Sequence, residues 1–254
     1  MLSRLAVFLY SVACYAVGFV ALVYAVGFVG NYLVPKSMDS GMPATWSTAL
    51  TYNLPLLALF AAQHSIMARQ GFKRVWTKIV PQAAERATYV LATGAALLLL
   101  YWQWKPLPQT VWQVSDANAA AVLTGFYFAG WAIVFLSTFL INHFELMGLQ
   151  QSFDNLRNKA PQAQRFRTPL FYKLVRHPIY TGLLLAFWAT PHMTEGHLLF
   201  ALATTGYIFI GIFFEERDLV SFFGDTYRNY RKAVPMVIPL PRLSRRREKA
   251  RNAG

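Results

Sequence analysis

Residues 5–29 contain no charged side chain. A helix needs about 20 mostly apolar residues to cross the hydrocarbon core of a bilayer, and this run supplies them. It is too long for the core of a signal peptide, and no small-residue cleavage site follows it. Residues 47–67, 87–104, 119–141 and 197–214 read as further spans. Residues 179–190 form a shorter one that Pro191 stops. The last two, joined by "PHMTEG", read as a helical hairpin. The predicted fold is therefore all-α: a polytopic membrane helix bundle of about five spans, with a C-terminal helical hairpin and a cytoplasmic amphipathic helix. Only 14% of the chain is charged and 56% is hydrophobic, against about 25% charged in soluble domains.

The positive charges orient the bundle. The segments before the first span, between spans two and three, between four and five, and after the last carry 1, 5, 6 and 10 Lys or Arg, which is 22 of 24. The other side keeps Lys36 and Lys105. Basic loops stay in the cytoplasm, so both termini are expected there. The net charge of +13 is assigned to membrane lipid head groups rather than nucleic acid, because no basic reading helix or aromatic RNA-binding motif is present. The chain divides into a four-span bundle (1–141), a region carrying the site (142–235) and a basic tail (236–254), within one membrane domain. The tail reads as disordered. The lone Cys14 lies in an apolar run and forms neither a disulfide nor a metal motif. No P-loop, GxGxxG or zinc spacing occurs, so no metal is expected.

Polar groups inside spans are costly and point to function. Here they collect at one depth. "AAQHSIMAR" places Gln63, His64 and Ser65 at the cytoplasmic end of the second span, and "AAERATY" places Glu85 and Arg86 at the start of the third. "INHFELMG" brings Asn142, His143 and Glu145, "RHPIYTG" brings Arg176, His177 and Tyr180, and "FFEERD" brings Glu215, Glu216, Arg217 and Asp218. Across the membrane, His192, Glu195 and His197 read as solvated turn residues. Pro178 suits the first turn of a helix, which puts Arg176 and His177 at a helix mouth that favours an anion. Gly182 would let a ligand approach the backbone. After the last span, Leu219, Phe222, Phe223, Tyr227 and Tyr230 recur at helical spacing, interrupted at Gly224. They read as an amphipathic lid over that mouth.

"RHPIYTG" followed by "EERDLVSFFGDTYRNYRKAVP" resembles the C-terminal signature of integral-membrane methyltransferases related to isoprenylcysteine carboxyl methyltransferase. "QHSIMAR", "ERATYVL", "NHFELMGLQQ", "FRTPLFYKLVRHP" and "LAFWATPHMTEGHLLFA" resemble, within that group, the bacterial methanethiol S-methyltransferases with their NnrU-like membrane fold. The resemblance implies S-adenosylmethionine as cofactor, held at the cytoplasmic face by Arg176, His177, Tyr180, Gly182, Glu215, Glu216, Tyr227, Tyr230 and Arg231. It implies a small thiol substrate, methanethiol, converted to dimethyl sulfide. A larger thiol, an isoprenylcysteine carboxylate, or NADPH-dependent reduction in a related fold are the alternatives. Free cysteine thiols have a pKa of about 8.5 and simple alkanethiols are weaker acids, so a base or a nearby cation would help. The candidate bases are His143 or His64, oriented by Glu145 or Asn142, with Arg86 or Arg176 stabilising the thiolate.

Overall fold

The protein is described here by a computed structural model that covers residues 1–160 and 166–239. In chain order the elements are α1 (Leu2–Gly30), α2 (Trp46–Ala68), α3 (Gln70–Trp76), α4 (Gln82–Gln103), β1 (Thr110–Gln113), α5 (Ala117–Ile141), α6 (His143–Leu146), α7 (Leu149–Leu156), α8 (Phe171–Leu174), α9 (Pro178–Trp188), β2 (His192–Thr194), α10 (Glu195–Phe223) and α11 (Asp225–Ala233). Local chemistry sets many of the ends. Thr45, Asp116 and Thr194 each accept a backbone N–H at a helix start, satisfying donors that the helix itself cannot. Asn31 closes α1 in the left-handed conformation. Gly224, at φ 57°, separates α10 from α11.

Among the described residues four helices are long and apolar enough to cross a membrane: residues 3–30, α4, α5 and α10. This is an integral membrane protein with an all-helical bundle. The second expected span, α2, forms 23 helical residues, but Thr48, Thr51, Asn53, Gln63, His64 and Ser65 leave it too polar to join those four. The short fifth is α9, whose 11 residues reach only about 17 Å at 1.5 Å per residue. It is buried by pairing with α5. At their crossing a Cβ on Gly182 would stand 2.5 Å from the Gly130 carbonyl oxygen, and one on Gly130 would stand 2.6 Å from that of Gly182. The two backbones therefore touch. This corrects the reading of Gly182 as an opening for a ligand: it is a helix-packing glycine.

Three further expectations change. The last span does not stop at residue 214 but continues as one 29-residue helix through Glu215, Glu216 and Asp218 to Phe223. The hairpin turn is not a bare loop, because β2 pairs antiparallel with β1, Thr110 opposite Thr194. His197 is not solvated: it is 1% exposed, with Nε2 2.9 Å from the Phe187 carbonyl oxygen. At this end Phe28, Tyr101, Trp104, Phe187 and Phe200 make the aromatic core, with Phe28 and Tyr101 centroids 4.6 Å apart and Phe187 and Phe200 5.1 Å apart. Cys14 is buried.

Candidate active site

The opposite end of the bundle, where α2 and α10 finish and α4 and α9 begin, holds the ionisable groups. Pro178 opens α9 and His177 caps it, as the sequence indicated. The Arg176 guanidinium donates from Nε to Glu216 Oε1 at 2.7 Å and from Nη1 to the carbonyls of Arg231 (3.0 Å) and Val234 (2.6 Å). His177, 5% exposed, sets Nε2 3.2 Å from the same Glu216 oxygen and Nδ1 3.8 Å from Glu215 Oε2. Tyr180 donates to that Glu215 oxygen at 3.1 Å, and Arg231 stands 3.8 Å from Glu216 Oε2. One buried carboxylate, Glu216, thus gathers two cations and a histidine from α9, α11 and the segment before α9. Charge-assisted bonds of this kind are the strong ones.

Residues just before the helix mouth are tied to the chain after α11. The Arg176 and His177 N–H groups donate to the carbonyls of Pro235 (2.8 Å) and Met236 (3.1 Å). Thr181 Oγ1 donates to Val237 at 2.7 Å. Residues 235–237 therefore lie across the start of α9, and Val237 is buried. The first residues assigned to the basic tail belong to the site instead; residues 240–254 lie outside the described residues.

The lid is shorter than the helical spacing suggested. Phe222, at the end of α10, is 65% exposed and does not join the cover. Phe223 joins Tyr227 and Tyr230 around Phe166, with ring centroids 5.3, 6.0 and 5.2 Å from it. Tyr230 donates to the Tyr172 carbonyl at 2.5 Å. Burial first, with Glu216 adding to it against Arg176, pushes the Tyr230 phenol up to about 12. Burial likewise raises Tyr227 and Tyr172. These phenols stay protonated, and Tyr230 is the one that donates. The Tyr227 hydroxyl is buried with no partner among the described residues, and such a group calls for one. A cleft of about 250 Å³ is lined by Phe213, Glu216, Arg217, Val220 and Arg231.

A second patch adjoins the first. The Tyr89 hydroxyl lies 2.8 Å from His64 Nε2, and Thr93 Oγ1 is 3.3 Å from His64 Nδ1. The Arg86 guanidinium stacks over the Tyr89 ring at 4.8 Å and donates from Nε to the Leu146 carbonyl. Ser65 Oγ and Tyr207 OH are 3.1 Å apart. Tyr89 and Tyr180 both lie within electrostatic reach of Glu215 and Tyr207, which joins the patch to the Glu215–Glu216 site. Tyr89 and Tyr207 were missed in the sequence because a tyrosine in an apolar run looks like any other core aromatic.

His143 goes elsewhere. Its Nε2 is 3.0 Å from Tyr15 OH and its Nδ1 2.9 Å from Thr138 Oγ1, with its ring stacked on Phe139 at 4.3 Å. Burial lowers its pKa. Asn142 and Glu145 orient neither histidine: Asn142 caps α6 by accepting the Glu145 N–H, and its Nδ2 donates to Glu145 Oε2 at 3.0 Å. Glu85 faces Lys73 at 3.8 Å. Among the described residues no group of His, Cys, Asp or Glu could hold a metal ion.

Fold and site together define a polytopic membrane protein with a tyrosine-walled, carboxylate-centred site at one end of its bundle. Comparison with known proteins names the class. The chain is 55% identical to methanethiol S-methyltransferase 2 of Bradyrhizobium diazoefficiens over 94% of its own length and 92% of the relative's. It is 50% identical to the methanethiol S-methyltransferase of Mycobacterium tuberculosis over 94% and 98%. It is also 29% identical to nurim of Xenopus laevis over 78% and 76%. No family model matches, and no solved structure matches. The chain belongs to the methanethiol S-methyltransferase family.

Proposed function

We propose that this protein transfers a methyl group from S-adenosylmethionine to methanethiol, giving dimethyl sulfide, at the cytoplasmic face of a bacterial inner membrane. The observation that carries the reading is the Glu216 network beside the unpartnered Tyr227 hydroxyl, in a chain of this family. The side with the site is also the side with most of the Lys and Arg.

The residues present fit the cofactor. Its amino-acid end needs donors for a carboxylate and acceptors for an ammonium, and its ribose needs acceptors. Arg231, about half exposed, and Tyr227 supply donors. Glu215, whose side chain is 45% exposed, supplies an acceptor. Arg176, His177 and residues 235–237 fix Glu216 and brace the wall. Bound there, S-adenosylmethionine brings an electrophilic methyl group on a sulfonium that leaves as a neutral thioether. The protein must then exclude water, align the acceptor and ease its ionisation. Alignment alone can contribute about 7–11 kcal/mol. His64 takes the thiol proton on a ring nitrogen, held in place by Tyr89 and Thr93. Arg86, stacked on Tyr89, stabilises the thiolate by its charge. His143, whose nitrogens meet Tyr15 of α1 and Thr138 of α5, is the alternative base. An uncharged, volatile thiol can arrive through the lipid.

The test is purified protein in detergent supplied with S-adenosylmethionine and methanethiol, with dimethyl sulfide followed by headspace gas chromatography. Product should require both substrates and fall at least about 100-fold in His64→Gln, while calorimetry shows cofactor binding retained. Tight NADPH binding without S-adenosylmethionine binding would overturn the reading.

A further inference from the structure

Tyr207, Gly211 and Glu215 are four residues apart along α10 and share one face of it. The outer two are both engaged by neighbouring helices. Tyr207 meets Ser65 of α2 at 3.1 Å and faces the His64 ring, 6.5 Å between centroids. Glu215 receives the Tyr180 hydroxyl of α9. Between them Gly211 is half-buried, yet a Cβ built on it meets nothing closer than the Tyr180 hydroxyl at 3.9 Å. The groove between α2, α9 and α10 therefore has an unfilled step at Gly211, one turn from Glu215 and one turn from the tyrosine that touches Ser65. Gly206, on the same helix, also has open space beside it, but it is exposed and faces outward. Its emptiness is that of the molecular surface.

Resting on the methyl-transfer reading, we propose that the space beside Gly211 seats the alkyl group of the thiol acceptor and limits its size. The chemistry matches. The step is faced by the Tyr180 hydroxyl and flanked along α10 by Tyr207 and Glu215. On one side Tyr207 faces the His64 ring and on the other Tyr180 holds the Glu215 carboxylate, so a thiol seated here would present its sulfur between the base and the methyl donor's site. Substituting Gly211 by alanine favours the helix and meets no clash, so the variant folds and reports on the space alone.

The experiment uses the full-length protein in detergent, with initial rates of dimethyl sulfide formation over a range of methanethiol at saturating S-adenosylmethionine. In Gly211→Ala the KM for methanethiol should rise about tenfold, the scale of one methyl-sized change in a pocket, and further in Gly211→Val. S-adenosylmethionine affinity by calorimetry should match the wild type, and Gly206→Ala should match it in both. A Gly211→Val protein with the wild-type KM overturns the seat. So does an equal KM rise in Gly206→Ala, or a cofactor affinity that falls in step with the KM. A wild-type protein that makes no dimethyl sulfide overturns the methyl-transfer reading, and the seat with it.

Discussion

Two helix pairs in this bundle are built on opposite principles. Between α5 and α9 the backbones touch at Gly130 and Gly182, with no side chain between them. Around that point Val134, Ala186 and Phe187 are buried. Between α2 and α10 the ties are side-chain and polar: Ser65 with Tyr207, Arg69 with Asp218 at 2.9 Å, and Arg69 over the Phe214 ring at 4.9 Å. In a membrane, close backbone packing of small residues holds helices together. Polar residues at depth are retained for what they do. The first pair fixes where Tyr180 and His177 stand. The second leaves room for a reaction.

The largest effect that tests this contrast is Gly182→Val. Its Cβ would stand 2.5 Å from the Gly130 carbonyl oxygen, so no monodisperse folded protein should survive detergent extraction. A well-folded Gly182→Val protein would break the comparison. Next is Glu216→Ala. It leaves Arg176, whose side chain is 9% exposed, without its carboxylate, and removing one partner of a buried pair costs about 3–5 kcal/mol. Thermal unfolding in detergent should show that loss, together with loss of S-adenosylmethionine binding by calorimetry.

A smaller effect comes from His143. Burial lowers its folded pKa below the ordinary value, so the unfolded chain takes up the proton first. Its contribution to stability is full above about pH 6.5 and is lost as the pH falls from there toward the lowered folded value. Between pH 7 and pH 5 the wild type should lose roughly 2 °C more in Tm than His143→Gln. Parallel curves would show that His143 is not held neutral. The smallest effect is at the α2–α10 seam. Asp218→Asn breaks an ion pair whose side chains are 35% and 54% exposed, and such pairs are worth under about 1 kcal/mol. A cost equal to that of the glycine crossing would erase the distinction between the two pairs.

Much of the fold was legible in the chain. Charge-free runs located α1, α4 and α5, Pro178 located the start of α9, and Gly224 located the break after α10. The sequence also brought Arg176, His177, Tyr180, Glu215, Glu216, Tyr227, Tyr230 and Arg231 to one end. It could not separate Gly182 from them, because a glycine that admits a ligand and one that admits another helix read alike. Nor could it rank the histidines. His64 and His143 both follow apolar runs near the same depth, and only the rotation of α2 and α5 about their axes decides which meets Tyr89 and which meets Tyr15.

The sequence by itself determined that this chain lives in a membrane and gathers its ionisable groups at one end. Burying charge in lipid is costly at any position, and that cost is written residue by residue. Only the tertiary structure decided which of those groups meet. The partners of Glu216 lie 40 residues before it, at Arg176, and 15 after it, at Arg231. Their convergence depends on the α5–α9 crossing and on residues 235–237 folding back over α9. A pairing set by the packing of whole helices leaves no mark at any single position.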